Sequence, residues 1–380
     1  MYSVYTYGQM LAGAPRMDAH VAALRRVVKP GSVVLDLGCG PGVFALLACR
    51  LGARRVFAVE PDNVVELARA AAKANGFADR IEFFQRFSTE IRLPERADAI
   101  VSDLRGVLPW YRQHIPSIVD ARTRLLAPEG VLIPRRDVLW AAVVDAPERY
   151  EELVGPWRTN GFDLTAARHA ITNTWRKTRL KPGELLVEPF CWATLDYREI
   201  ESPDVSAEIR WRVSRPGTAH GVAVWFDCEL VDEIGFSNHP GSPELIYGNG
   251  LFPFSQPVDV AEGDRICLRL RADYVGDDYV WRWDTDFFAA SASDSPKASF
   301  KQSTFFGVPL SPSQLRKRAH NYLPVASEEG AIVRFVLSQM SGANSIETIA
   351  TQLVKEFPHR FGELDKAIDF AADVTEKYSV

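Results

Sequence analysis

The chain has 380 residues, long enough for two or three domains, and its 47% hydrophobic and 24% charged content is that of an ordinary soluble globular protein. A formal net charge of −5 argues against a general nucleic-acid binder. The five cysteines (Cys39, Cys49, Cys191, Cys228 and Cys267) are odd in number, scattered and without a CxxC pair. That usage argues against a zinc site or a disulfide framework, leaves no metal expected, and fits a reducing, cytoplasmic setting. The opening MYSVYTYGQM lacks the layout of a signal peptide and no apolar run reaches membrane-spanning length, so no membrane partner is expected.

In chain order, Tyr2–Arg16 is aromatic and glycine-rich, and Met17–Val28 reads as an amphipathic helix. This region either packs on a sheet or forms a lid over a ligand, with Arg16 available for a carboxylate. Val33–Asp36 reads as a buried parallel strand, and Gly38, Gly40 and Gly42 then make a tight turn that no side chain crowds. Val43–Leu51 has helical length and an apolar face, and Arg55–Val59 is a second short strand closed by Glu60. A glycine turn lets a ligand approach the backbone, and a helix amino terminus offers free N–H groups. A carboxylate at the tip of the second strand can take both hydroxyls of a ribose. The unit therefore binds a nucleoside-bearing cofactor.

The alternation continues. Asn63–Asn75 is an alanine-rich helix stopped by Gly76, Ile81–Gln85 and Ala97–Ser102 are strands, and the second of them ends at Asp103. Pro109–Leu126 is helical in part and broken at Pro116, and Gly130–Pro134 and Val138–Val144 are two more strands. Strands alternating with helices imply a doubly wound sheet that binds ligands at its carboxyl edge, where Gly38–Gly42, Glu60, Thr89–Glu90 and Asp103 all fall.

From about Glu184 the texture becomes all-β. Leu185–Leu195, Val205–Val213, Gly221–Leu230, Asp264–Ala272 and Tyr279–Trp283 show strand alternation between Gly/Pro/Asp turns, as in a barrel or sandwich. Ala289–Lys297, small and polar, reads as a linker. The tail returns to helix, with Ser345 placed as an N-cap and Arg316-Lys317-Arg318 as a solvated face. The expected division is residues 1–145, 146–290 and 300–380.

The form of the glycine turn, with Asp36 on the strand before G-C-G-P-G, resembles motif I of class I S-adenosylmethionine (SAM) methyltransferases. Over Tyr2 to Phe288 the chain resembles the protein arginine methyltransferases. Tyr5…Met10-Leu11…Arg16 is similar to their amino-terminal lid motif, Glu60 to the ribose-binding acid, and Thr89-Glu90-Ile91-Arg92-Leu93-Pro94 to the adenine loop. Asn160–Leu164 resembles the arm through which those enzymes dimerise, and Pro243…Gly248-Asn249…Phe252 their barrel. The resemblance implies a Rossmann-like class I methyltransferase domain, a β-barrel domain and a homodimer. It implies SAM as cofactor, held by Arg16, Asp36, Gly38, Cys39, Gly40, Gly42, Glu60, Pro61, Thr89 and Glu90. Asp36 also has a plainer reading, in which it orders the turn through its hydrogen bonds. The carboxy-terminal helical module faintly resembles PqqD-type peptide-holding modules and winged-helix folds, with a helical cap on the barrel as the plainer reading.

The substrate loop departs from that family. Its members hold the substrate guanidinium between two glutamates, the first in S-E-W-M-G and the second nine residues on. Here the loop is Ser102-Asp103-Leu104-Arg105-Gly106, and Arg112 stands nine residues after Asp103. The family's threonine–histidine–tryptophan motif is replaced by Leu245-Ile246-Tyr247. Two like charges about 5 Å apart at an effective dielectric of about 20 repel by roughly 3 kcal/mol. An inward Arg112 therefore disfavours a cationic acceptor and favours an anionic or neutral one, whereas an outward Arg112 leaves arginine open. The candidate catalytic residues are Asp103 as orienting group or proton acceptor, Arg112 as anion clamp or structural partner, and His114 as base or surface histidine. Tyr7 and Trp110 either wall the pocket or only pack. The leading expectation is methyl transfer to N or O of a small metabolite or peptide. The alternatives are an arginine methyltransferase with a rebuilt clamp and a silent SAM-binding scaffold that recruits a peptide.

Overall fold

The computed structural model describes residues 2–291 and 295–379, in two compact units, one ending at Pro309 and the other beginning at Leu310. The first unit opens with helices α1 (Val4–Ala12) and α2 (Ala14–Val27). Then come β1 (Val33–Leu37), α3 (Val43–Arg50), β2 (Arg55–Val59), α4 (Val65–Ala74), β3 (Ile81–Phe84), β4 (Ala97–Ser102), α5 (His114–Arg124) and β5 (Leu126–Ile133). These five strands form one parallel sheet in the order β3-β2-β1-β4-β5. All of β1 is buried, which explains its unbroken apolar run except at Asp36: a parallel strand under helices has no solvent face. The register pairs Leu37 with both Val59 and Ser102, so the next residues, Gly38, Glu60 and Asp103, emerge side by side at the carboxyl edge.

Helix α5 runs unbroken through Pro116, contrary to the expected break. Pro116 is its third residue, where the missing N–H removes no intrahelical bond. The segment read as the last strand of the first domain, β6 (Arg136–Val144), pairs instead with β10 and β8 in an antiparallel sheet. Its apolar run (Leu139 to Val144) looks like a parallel core strand because both of its faces are covered.

After β6 come α6 (Pro147–Val154), α7 (Thr165–Thr172), β7 (Arg176–Thr178), β8 (Phe190–Asp196), β9 (Val205–Arg212) and β10 (Gly217–Val231). The unit closes with β11 (Ile234–Ser237), β12 (Asn249–Val260), β13 (Arg265–Val275), β14 (Asp278–Phe288) and β15 (Ala298–Phe300). One sheet runs β7-β12-β10-β6-β8 with β11 on β10, and the other β15-β14-β13-β9, together barrel-like. Strand β12 was not expected, because Pro253 and Pro257 argue against a central strand. The β10–β12 register shifts between Ala219 and Gly221, and that irregularity absorbs the prolines. The expected linker at Ala289–Lys297 lies partly outside the described residues. Of its flanks, Lys297 pairs with Phe287 and Asp264, and β15 pairs with β14, so the chain is still inside the β unit there.

The second unit holds α8 (Pro312–Lys317), α9 (Glu328–Gln339), α10 (Ile346–Glu356) and α11 (Leu364–Tyr378). Ile332, Val336, Ile349, Leu353, Phe361 and Ala371 form its own core. Ser345 caps α10 as expected, accepting from the Thr348 N–H at 3.2 Å, and Arg316, Lys317 and Arg318 are exposed. A winged helix needs a β-hairpin wing, and among the described residues of this unit there is no strand. Among the described residues no helix is long and apolar enough to cross a membrane.

Candidate functional site

The turn after β1 is built from backbone. Gly38, Gly40 and Gly42 have φ of 76°, 50° and 82°, a region that side-chain-bearing residues avoid. Gly38 and Cys39 donate their N–H groups to the Val59 carbonyl at 2.8 and 3.0 Å, tying the turn to β2. A Cβ on Gly38 would lie 2.2 Å from Leu104 Cδ2, and one on Gly40 2.9 Å from Tyr7 Cε1. The turn is thus walled by the substrate loop on one side and by α1 on the other. Tyr7 lies against the turn at Gly40, whereas Trp110 packs in the core against Trp192 and Trp281.

Glu60 is nearly buried, and its two carboxylate oxygens accept the Gly40 and Asp62 N–H groups, each at 3.0 Å. Burial raises its pKa, against the pull of those donors. Asp36 is fully inside. Its Oδ2 accepts the Ala45 N–H at 2.8 Å in the first turn of α3, while Oδ1 has no partner. Asp36 therefore caps α3 rather than the glycine turn itself, and burial pushes its pKa up to about 7. The Cys39 thiol is buried and pushed up, by burial first and then by Asp36 and Glu60, so it is inert. Pro61 is exposed beyond β2. Thr89 and Glu90 are exposed on a short turn beyond β3, and only the neighbouring Ser88 is buried.

Arg16, from α2, crosses to the substrate loop. Its Nε donates to Asp103 Oδ2 at 2.6 Å and to the Tyr247 hydroxyl at 3.0 Å, and its Nη2 pairs with the same Asp103 oxygen. The Tyr247 hydroxyl donates in turn to Asp103 Oδ2 at 2.6 Å. Burial alone would raise Asp103, but Arg16 and Arg105, helped by Tyr247, hold it well below the usual carboxylate range. Asp103 is therefore held as the carboxylate, its Oδ2 shared by Arg16 and Tyr247. Tyr247 was seen in the sequence only as a replaced motif. Its contact with Arg16 spans 231 residues, and no local pattern carries it.

Arg105 is the second residue that sequence reasoning missed. Its side chain is fully buried, with Nε 3.3 Å from Asp103 Oδ1 and Nη1 2.7 Å from Asp137 Oδ1. Burial would lower its pKa, yet Asp137 above all holds it well above its usual value. Tyr197 donates to Asp137 Oδ2 at 2.6 Å, so its oxygen accepts from His114 Nε2 at 3.1 Å. That fixes the His114 tautomer. His114 is neither a surface histidine nor a base: it is buried, Nδ1 has no partner, and burial lowers its pKa to about 3. Arg112 does not point into the pocket either. It is exposed, its guanidinium lies over the Tyr111 ring at 5.3 Å, and its N–H donates to Asp278 Oδ1 at 3.3 Å. A backbone φ of 43° turns it outward.

The donor set matches a nucleoside cofactor with an amino-acid tail. The turn is open to backbone approach, Glu60 faces the turn, Asp36 keeps an unpartnered carboxylate oxygen for a cation, and Arg16 offers a guanidinium for a carboxylate.

Comparison with known proteins agrees with this arrangement. Residues 18–135 match the family model for ribosomal protein L11 methyltransferase (PrmA), and residues 135–284 that for the arginine methyltransferase oligomerization subdomain. Protein arginine N-methyltransferase PRMT10 of Oryza sativa subsp. japonica is 38% identical over 300 residues, which cover 69% of this chain and 79% of that protein. An arginine N(omega)-methyltransferase of Streptomyces achromogenes subsp. streptozoticus is 29% identical over 268 residues, 69% of this chain and 74% of that protein. The chain spans only 48% and 61% of the length of two further relatives. The crystal structure of Arabidopsis thaliana protein arginine methyltransferase 10 superposes with a TM-score of 0.70 over 79% of this chain and 97% of that one, at 24% identity, a likeness of fold.

Proposed function

This chain belongs to the protein arginine N-methyltransferase family, and we propose that it transfers the methyl group of SAM to a nitrogen or oxygen of a small metabolite or peptide. The cofactor reading rests on the glycine turn beside Glu60 and Asp36 at the carboxyl edge of the sheet. There Glu60 would take the ribose, Asp36 the ammonium, and Arg16 the carboxylate through Nη1, which would give up its bonds of 3.3 Å to the Met10 carbonyl and to Met17 Sδ. Bound there, SAM supplies a methyl already activated by its sulfonium, so the chain has to orient an acceptor lone pair and exclude water.

The acceptor reading is carried by one observation: the single acid at the substrate loop, Asp103, is already paired with Arg16 and faced by Arg105. With Asp137 counted, two guanidiniums balance two carboxylates, so Asp103 has no net negative charge with which to draw a cationic acceptor. Incubation with labelled SAM and a panel of metabolites, peptides and proteins tests the reading. Label on uncharged or anionic acceptors is expected, and label confined to protein arginine would overturn it. SAM binding with no transfer to any acceptor would leave the silent scaffold in its place.

A second reading, methyl transfer to arginine, is favoured by the outward Arg112, which puts no added positive charge in the pocket, and by the names of the relatives. Methylated arginine lost on Asp103→Ala would support it. Association as a homodimer is part of the proposal. Between α6 and α7, residues 160–163 are exposed, Phe162 at 70%, inside the region matching the oligomerization subdomain, which supports their reading as a dimerisation arm. Light scattering should give a dimer for the wild type and a monomer for Phe162→Asp.

A further inference from the structure

We propose that Arg105 is a resident guanidinium: it fills a cation site made by the chain's own Asp103, Asp137, Phe226 and Phe236, and thereby restricts the acceptor to uncharged or anionic groups. This deepens the acceptor reading above and rests on it. Two carboxylates and two aromatic faces are the surroundings that a guanidinium selects, through charge-assisted hydrogen bonds and cation–π contact. The Arg105 guanidinium carbon lies 5.2 Å from the Phe226 ring centre and 5.8 Å from that of Phe236, while Nη1 reaches Asp137 at 2.7 Å. The occupant comes from the substrate loop itself, two residues after Asp103.

Burying a charge this deeply is poor construction if stability is the only purpose, because desolvation can exceed the ion-pair attraction. It is poorer still here, since Arg105 Nε and Nη2 have no hydrogen-bond partners. The charge sum shows what the arrangement does. Arg16 and Arg105 balance Asp103 and Asp137, while Tyr197, Tyr247 and His114 add nothing, so the cluster is neutral. A cation arriving at Asp103 meets no net attraction. Arg105 Nε and Asp103 Oδ1 face each other 3.3 Å apart inside the cluster, both buried, so the charge of that carboxylate oxygen is already answered from within the chain.

The test uses the full chain as wild type, Arg105→Ala and Arg105→Lys. Removing the side chain leaves a guanidinium-shaped space with one uncompensated negative charge. Millimolar guanidinium chloride, far below denaturing strength, should raise the melting temperature of Arg105→Ala by several degrees and leave the wild type unmoved. Ammonium chloride and urea at equal concentration should do neither. In the labelled-SAM assay Arg105→Ala should gain at least tenfold in transfer to free L-arginine or an arginine peptide, while Arg105→Lys, which keeps the charge, should gain none. If Arg105→Ala does not accumulate folded, its recovery on refolding with millimolar guanidinium supports the proposal, and failure of that recovery overturns it. A folded Arg105→Ala that ignores guanidinium and keeps the wild-type acceptor preference also overturns it. Should the wild type fail to bind SAM at all, the methyltransferase reading falls, but the guanidinium response still decides whether Arg105 fills a cation site.

Discussion

Replacing Asp36 by asparagine should change how stability depends on pH, in a direction opposite to that of most carboxylates. Asp36 is fully buried on β1, and its folded pKa of about 7 compares with an ordinary value of 3.8. Between those two values the folded state holds a proton that the unfolded chain has released, so this group's contribution to stability falls as pH rises. From pH 5 to pH 7 that is one proton over two units, at 1.36 kcal/mol each, or roughly 3 kcal/mol. Above pH 7 the loss is complete and the contribution is flat. Asparagine keeps an oxygen for the Ala45 N–H, while its amide meets the place where Oδ1 has no partner. That adds a constant penalty but no slope. The assay is urea unfolding of cofactor-free wild type and Asp36→Asn at pH 5, 6, 7 and 8, read as the difference between the two proteins, so that every other titrating group cancels. The variant should gain on the wild type by roughly 3 kcal/mol across that range. A difference that stays constant with pH would refute the reasoning and mean that Asp36 is solvated.

Two glycines of one turn should respond differently to the same substitution. Alanine in the left-handed region costs about 1–2 kcal/mol at either. A Cβ on Gly40 meets Tyr7 on α1, a helix with no buried residue, so Gly40→Ala should displace α1 and weaken SAM binding about tenfold, read by calorimetry, with melting lowered no further than that backbone cost. A Cβ on Gly42 meets Ala68 of α4 at 2.8 Å, so Gly42→Ala should lower the melting temperature instead. Asp103→Asn leaves Arg16 and Arg105 buried without their shared carboxylate and should cost about 3–5 kcal/mol in urea unfolding. His114→Gln should leave the pH profile of methyl transfer unchanged, since the histidine is sealed behind Tyr197; loss of the acidic limb, where a base becomes protonated, would restore it as a base. Because its folded pKa is lowered to about 3, His114 takes stability away as pH falls below its ordinary 6.5, and the variant should lack that loss in acid unfolding.

What the sequence made legible was local. The run from Val33 to Glu60 fixes strand, turn, helix and strand within a few residues of one another, and the parallel register then places Gly38, Glu60 and Asp103 together. Arg112 and His114 were drawn to the site by their spacing from Asp103. Spacing carries no direction: a positive φ turns Arg112 outward, and the first turn of α5 carries His114 inward to Tyr197. Arg105 and Tyr247 escaped notice because their roles depend on partners 32 and 231 residues away. The same holds for β6, whose core-like texture is shared by buried strands of either sheet type. Strand β12 carries prolines that a register irregularity against β10, with the extra residues on β12 itself, makes tolerable.

The account depends most on the glycine turn and Glu60 holding SAM. Isothermal titration of the full chain with SAM and S-adenosylhomocysteine, repeated on Glu60→Ala, tests that claim directly. The wild type should bind one equivalent of each ligand per chain, and the variant should lose at least tenfold in affinity while remaining folded by circular dichroism. Absence of heat from the wild type, or equal affinity in the variant, would contradict it.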